Sequence, residues 1–402
     1  MRKIVILLAI AVVIGITNFT LWFIHTRVII DSTLAIKKHL ITGGVLLKYS
    51  DIRFTNFAAW KVKAVIDEAS VQIPNGCVHS IERIDIESSP LENIVKVELS
   101  NSVNTRCSGG GSVQQVTDFA SPPVITISTF SSLSKFVNAI QNGELRHYVK
   151  EITVRVGGIS SFNQMRERQL EYSIEGMNLW ASNRIENGSS KIELDFSLSS
   201  LEYNPGYVSA NEQDNRLHQK FIELGKVGLN TNVIFYEKFK NLKKDGELVD
   251  FFEYYIDVKD ISASSKAFSG ELTGYIGSKS ARVLPVFDLV LSLKNYRDLL
   301  RYYAAIANLS IESLSNIFQQ IKPISPEQVD TVASILKTLS TQERRGGDSE
   351  SSIKSEQDNN IALRFLRDGK RTTISGKPLS LIFTQLQTVL LSNISAFAGA
   401  AR

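Results

Sequence analysis

The sequence predicts an α+β protein: an N-terminal transmembrane helix, then a large, mostly antiparallel, curved and groove-like β-sheet with packing helices. Three observations predict this class. The opening stretch MRKIVILLAIAVVIGITNFTLWFIH holds no charge from Ile4 to Ile24, roughly the ~20 residues that a bilayer-spanning helix needs. Between residues 61 and 293 apolar and polar residues alternate with period two, as half-buried strands require. After Lys294 the spacing changes to three and four, the signature of helices with one apolar stripe. The expected division is an anchor over 1–27, a β-rich domain over 28–294, and a helical segment with a terminal strand pair over 295–402.

The anchor comes first. Its apolar run is longer than the ~7–15 residues of a cleaved signal core and ends in bulky Leu21, Trp22, Phe23 and Ile24, so an uncleaved span is expected. Trp22 suits a membrane interface. Arg2 and Lys3 precede the run in a short, signal-like tail, which places the N-terminus inside and exports the chain from about residue 28. VIIDSTLAIKKHLI then reads as a helix leaving the membrane and stopping at Gly43-Gly44.

Strands are expected at 61–73, 94–99, 124–130, 151–156, 170–180, 192–198, 227–236, 251–258, 267–276 and 284–293, with helices at SSLSKFVNAIQ and near 211–224. Short connections imply antiparallel pairing. Helices follow from 295 to Pro323 and from Pro326. The segment 341–360, TQERRGGDSESSIKSEQDNN, is almost devoid of apolar residues and reads as a mobile loop. IALRFLRDGKRTTISG reads as a strand pair turning at Asp368-Gly369. The last helix, 378–398, is apolar but interrupted by Gln385, Gln387, Ser392 and Asn393, which favours packing on the sheet over a second span.

Composition excludes several function classes. With 43% hydrophobic and 21% charged residues in 402, the chain can build sizeable cores. Forty-five basic against 41 acidic residues leave a net charge of +4, too little for a nucleic-acid footprint. The lysines at 238, 240, 243 and 244 interleave with acids and turn residues, as on a solvated face. His25, His39, His79, His147 and His218 are scattered without metal-ligand spacing, so no metal or cofactor is expected. Walker, dinucleotide-binding and GxSxG motifs are absent. SxxK occurs at Ser132-Lys135, Ser334-Lys337 and Ser351-Lys354, but a chain this rich in serine and lysine gives such matches by chance. A non-enzymatic role is expected. Cys77 and Cys107 are the two cysteines; in an exported segment they are candidates for a disulfide.

KIELDFSLSS, residues 191–200, poses the functional question most directly. Ile192, Leu194, Phe196 and Leu198 form one apolar face, opposed by Glu193, Asp195, Ser197 and Ser199. Protein core, membrane or a lipid-like ligand can cover such a face. Ten strands present more apolar surface than the helices easily cover, which makes these four residues candidate lipid-facing groups in a groove.

The anchor, the helix, GVLLKYSDIRFTNFAAWKVKAVIDEASVQI, FSGELTGYIGSKSARVLPVFDLVLSLKNYRDLL and LRFLRDGKRTTISGKPLSLI together resemble the membrane-anchored envelope proteins of Gram-negative bacteria related to AsmA-like and YdgA-like families. Such families often carry Gly-Phe-Pro where this chain has Asn56-Phe57-Ala58. The resemblance implies an inner-membrane, single-pass protein whose bulk forms a groove in the periplasm, linked to lipid or outer-membrane homeostasis, with phospholipid or acyl chains as ligands. It supplies no catalytic residue. The alternative is a periplasmic scaffold or assembly factor recognising other envelope proteins.

Overall fold

The structure, a computed structural model, describes residues 2–107, 113–132, 148–164, 168–186, 189–209, 212–242, 248–280, 284–314, 323–343, 359–369 and 371–391, with positions 135, 138, 139 and 142. It is an α+β fold, mostly antiparallel sheet, headed by one long apolar helix. Contacts divide the chain into two compact units, 1–184 and 185–402. Composition divides it instead at 27/28 and 294/295, because composition marks where strands give way to helices, whereas compactness follows which strands pair.

Helix α1 (Arg2–Thr42) runs without interruption through both the apolar stretch and the helix expected after it. It is long and apolar enough to cross a membrane. It ends just before Gly43-Gly44, with the amides of Gly43, Gly44 and Val45 turned back onto the carbonyls of Leu40 and Ile41.

The first unit then builds β1 (Leu46–Lys48), β2 (Ile52–Phe54), β3 (Val62–Gln72), β4 (Cys77–Ser89), β5 (Ile94–Leu99), β6 (Ser102–Cys107), β7 (Val113–Phe119), β8 (Val124–Thr129), β9 (Val149–Val156), β10 (Ile159–Asn163), β11 (Gln169–Ile174) and β12 (Met177–Glu186). β4 is long enough to serve two partners along one edge: its first half pairs with β6 and its second with β5. From there the ladder continues as β5–β8–β9–β12 and as β6–β7–β10–β11. One register row runs Phe54, Ala64, Ile86, Val97, Ile125, Val154, Leu179, all on one face. Helix α1 covers its first strands: Ile29, Val62 and Ala64 are buried together, flanked by Trp22, Ile52, Phe54 and Ile86. Cys77 lies opposite Cys107 in the β4–β6 ladder, and the two are joined as a disulfide.

The second unit is a meander of β13 (Ser189–Tyr203), β14 (Val227–Leu242), β15 (Leu248–Ser264), β16 (Ser269–Ser278), β17 (Val286–Lys294), β18 (Asn360–Asp368), β19 (Arg371–Ile374) and β20 (Lys377–Pro378), each antiparallel to the next. Helix α2 (Glu212–Glu223) lies between β13 and β14 in sequence; α3 (Tyr296–Leu314) and α4 (Pro326–Glu343) between β17 and β18; α5 (Leu379–Leu391) follows β20. A reciprocal cap starts α4: the Gln328 amide donates to Ser325 Oγ and the Ser325 amide to Gln328 Oε1, with Pro326 at the first helical position. The core of this unit lies under these helices, where Tyr296, Ala333, Leu339, Ile361, Leu363 and Ile382 are buried together. The Tyr296 hydroxyl donates to the Ala333 carbonyl at 3.2 Å, which joins α3 to α4 and pairs that hydroxyl within the core.

Most expected strands are present, several longer than the alternation suggested. Segment 170–180 is split, breaking at Glu175-Gly176 into β11 and β12. Of the expected loop 341–360, residues 341–343 end α4 and 359–360 lead into β18, while 344–358 lie outside the described residues. Most of the expected helix at 131–141, and the last helix beyond Leu391, also lie outside them. The Asp368-Gly369 turn joins β18 to β19, with Asp368 opposite Arg371.

Candidate functional site

Strand β13 places Ile192, Leu194, Phe196 and Leu198 on one face, and pairing carries that face across the meander. Leu194 opposes Val233, which opposes Val258, then Gly274, Leu289 and Phe365. Phe196 opposes Thr231, then Ile261, Leu272, Leu291 and Leu363. The rows starting at Ile192 and Leu198 run through Phe235, Ile256, Ile276 and Phe287, and through Leu229, Ala263, Gly270, Leu293 and Ile361. Directly paired residues of an antiparallel ladder share a face, so these rows form one apolar surface, six strands wide in three rows and five in the Ile192 row, which meets Arg367 on β18.

Coverage of this surface is uneven. Toward β17–β19 the helices close it: Ile361 and Leu363 are each 4% exposed, and Leu293, Phe365 and Ile374 pack against the same core. Toward β13 the residues are half-buried and Leu194 is 36% exposed. Helix α2 meets β13 at its Tyr203 end, where Phe221 stacks on Tyr203 at 4.9 Å between ring centres. Register shifts after Leu198 on β13, between Asn232 and Val233 on β14, and between Val258 and Ile261 on β15. Bulges of this kind bend a strand and increase its local twist.

The opposite side of β13–β16 is polar and aromatic. Tyr255 stacks on Phe239 (4.4 Å) and Tyr275 (5.4 Å), with Tyr236 and Phe252 beside them. Burial, with the negative charge of Asp257 nearby, pushes the Tyr255 hydroxyl up to about 12. A cavity of about 450 Å³ on the same strands is lined by Asp195, Phe196, Asn230, Thr231, Asn232, Lys259 and Asp260. Lys259 is paired with Asp257 at 2.6 Å, Asn232 donates to Asp195 at 3.3 Å and Ser262 Oγ to Asp260 Oδ2 at 3.0 Å, while Asp260 Oδ1 is buried without a partner among the described residues.

Three of the other residues singled out in the sequence have local partners, while His147, Lys243 and Lys244 lie outside the described residues. His218 is buried between Tyr203 and Tyr207 with Nε2 2.9 Å from the Asn204 carbonyl. His79 Nδ1 lies 2.9 Å from Thr105 Oγ1. Ser334 Oγ donates to the Asp330 carbonyl one turn back in α4; Ser351-Lys354 lies outside the described residues. Among the described residues no cluster of His, Cys, Asp and Glu is arranged to hold a metal ion.

Alternation in KIELDFSLSS revealed the apolar side of β13, yet it could not name Val233, Phe235, Ile256, Val258 or Leu272 as its neighbours. That depends on register, which the bulges shift. No protein-family model matches the chain, and no curated protein matches it either.

Proposed function

We propose that this is a membrane-anchored envelope protein whose β13–β16 surface binds the acyl chains of lipids. The observation that carries the reading is the contrast along one face: three of its four apolar rows run under helices at β17–β19, whereas at β13 the residues are half-buried and Leu194 is 36% exposed. Leaving so many aliphatic and aromatic groups in partial contact with water is unfavourable by about 25 cal/mol per Å², which an acyl chain laid along the rows relieves. An anchoring helix keeps such a surface near a supply of lipid. A disulfide suits an oxidising compartment, and the AsmA-like resemblance agrees in pointing to the periplasm and to envelope homeostasis. Binding of this kind needs no catalytic group.

The test is Phe196→Asp in the full chain, purified in detergent, because truncation at residue 28 removes Trp22 from the first unit's core. A charge on a half-open apolar surface can hydrate, whereas one sealed in a core costs several kcal/mol. The variant is expected to melt within a few degrees of the parent while losing fluorescent fatty-acid binding. Normal binding by a folded variant contradicts the assignment, as does outright unfolding, which makes β13 core.

A further inference from the structure

The distal third of the uncharged run in α1 holds three polar residues: Thr20 bonds back to the Ile16 carbonyl, while Asn18 and Trp22 are both bonded to a loop of the β-rich part. Asn18 Nδ2 donates to the Phe57 carbonyl (3.0 Å), Asn18 Oδ1 accepts from the Ala59 amide (3.0 Å), and Trp22 Nε1 donates to the Asn56 carbonyl (2.7 Å). The Trp22 ring lies 4.8 Å from that of Phe57 and 6.0 Å from that of Phe54. The loop Thr55–Trp60 between β2 and β3 is thereby fixed to the helix at the level of residues 18 to 22.

That level sets a depth. The uncharged run Ile4–Ile24 is roughly 30 Å long as a helix, which matches the hydrocarbon thickness of a bilayer. If α1 crosses with this run in the hydrocarbon, residue 18 sits about 9 Å below its distal end, and the loop bonded to it must sit there too. Its side chains suit that position. The segment TNFAAW carries no charge, and Phe57 and Trp60 are 69% and 63% exposed; Leu91, on the turn between β4 and β5, is 84% exposed. A slot of about 380 Å³ lies among Val13, Ile14, Leu21, Trp60 and Leu91. The backbone is provided for in part. Amides and carbonyls without partners are costly at membrane depth. Besides the bonds from α1, Thr55 N donates to the Lys63 carbonyl, Lys61 N to the Ala58 carbonyl, and Asn56 bonds both Lys63 N and the Lys61 carbonyl through its side chain. Charge returns at Lys61, which turns to Glu87 at 2.6 Å.

We infer that Thr55–Trp60 and Leu91 form a wedge inserted in the lipid leaflet at the distal end of α1, with lipid acyl chains filling the slot beside the helix. Asn18 and Trp22 act as the latch, pairing the carbonyls of Asn56 and Phe57 and the amide of Ala59, and they fix the loop to the anchor. The wedge rests on α1 spanning the bilayer and is independent of whether β13–β16 binds lipid.

The test uses the full chain in phospholipid nanodiscs. Single cysteines replace Phe57, Leu91, Ile16 or Glu82, labelling is done without reductant so that the Cys77–Cys107 bridge stays closed, and each carries an NBD fluorophore. Lipids brominated along the acyl chain are the quencher. Labels at positions 57 and 91 are expected to lose most of their emission, as is the one at 16 in the span, while the label at exposed Glu82 keeps its own. Quenching at 16 but not at 57 or 91 overturns the wedge and leaves the anchor standing. Absence of quenching at 16 overturns the anchor, and the wedge with it.

Discussion

Gly274 shows how much of the apolar surface depends on a missing side chain. Its φ of +126° lies in the region that L-residues avoid, and a Cβ there would stand 2.0 Å from the Asp288 carbonyl oxygen. The close approach of β16 to β17 therefore needs glycine, in the row that runs from Leu194 to Phe365. Gly369 differs: its φ is +59°, but a Cβ would meet nothing within 4 Å. Gly274→Ala is expected to destabilise by about 3 kcal/mol or more through strain plus overpacking, against about 1–2 kcal/mol for Gly369→Ala from conformation alone. Urea melts of both variants check this ordering; equal losses contradict the close packing of β16 on β17. Neither requirement was legible in the sequence beyond the hairpin signal at Asp368-Gly369, because an interior strand glycine does not reveal which neighbour approaches it.

Among the elements, those with clean alternation were readable and those with polar residues on both sides were not. β8, VITIST, sets Val124, Thr126 and Ser128 against Ile125, Ile127 and Thr129, and the expected strand matches it. β7, VQQVTDF, and β10, ISSFN, show little alternation. They are held together by ladder bonds and by polar contacts across them, such as Gln115 Nε2 donating to Ser161 Oγ at 2.6 Å and Gln114 Nε2 to Gln164 Oε1 at 3.0 Å. Period two reports burial contrast, and a strand with little contrast leaves no such trace. An ion pair locks β17 to β18: Arg364 donates to both carboxylate oxygens of Asp288 at 2.7 and 2.6 Å. The Arg364 hydrogen bonds hold the Asp288 carboxyl below its ordinary value. A carboxyl depressed in the folded state adds stability that is fully present above the unfolded pKa near 3.8 and is lost as pH falls through the folded value. Both side chains are partly solvated, so Arg364→Met is expected to lose only about 0.5–1 kcal/mol at pH 7. The difference from the parent should shrink below about pH 4; a difference unchanged down to pH 3 contradicts the pairing.

At the scale of the molecule, each unit repeats one plan: an antiparallel sheet with one apolar face that, among the described residues, helices cover over some of its strands. In the first unit α1 covers β2–β4; in the second, α3, α4 and α5 cover β17–β19. The sequence made the ingredients visible, since about ten alternating strands against a few helices pointed to a groove while leaving two stacked sheets open. It showed a helix leaving the membrane up to Gly43-Gly44, but not that this helix is one with the anchor or that Ile29 packs on β3. It also could not say which strands the helices cover, since that follows from where the α3–α4 insertion folds back. Whether β13–β16 takes acyl chains, as proposed, is read by photocrosslinking. The full chain is irradiated with a diazirine-bearing fatty acid and the adducts are mapped by mass spectrometry. The account predicts adducts within 192–198, 229–235 and 256–263, competed away by unlabelled fatty acid; adducts confined to α1 or to the α3–α4 helices, with none on β13–β16, contradict it.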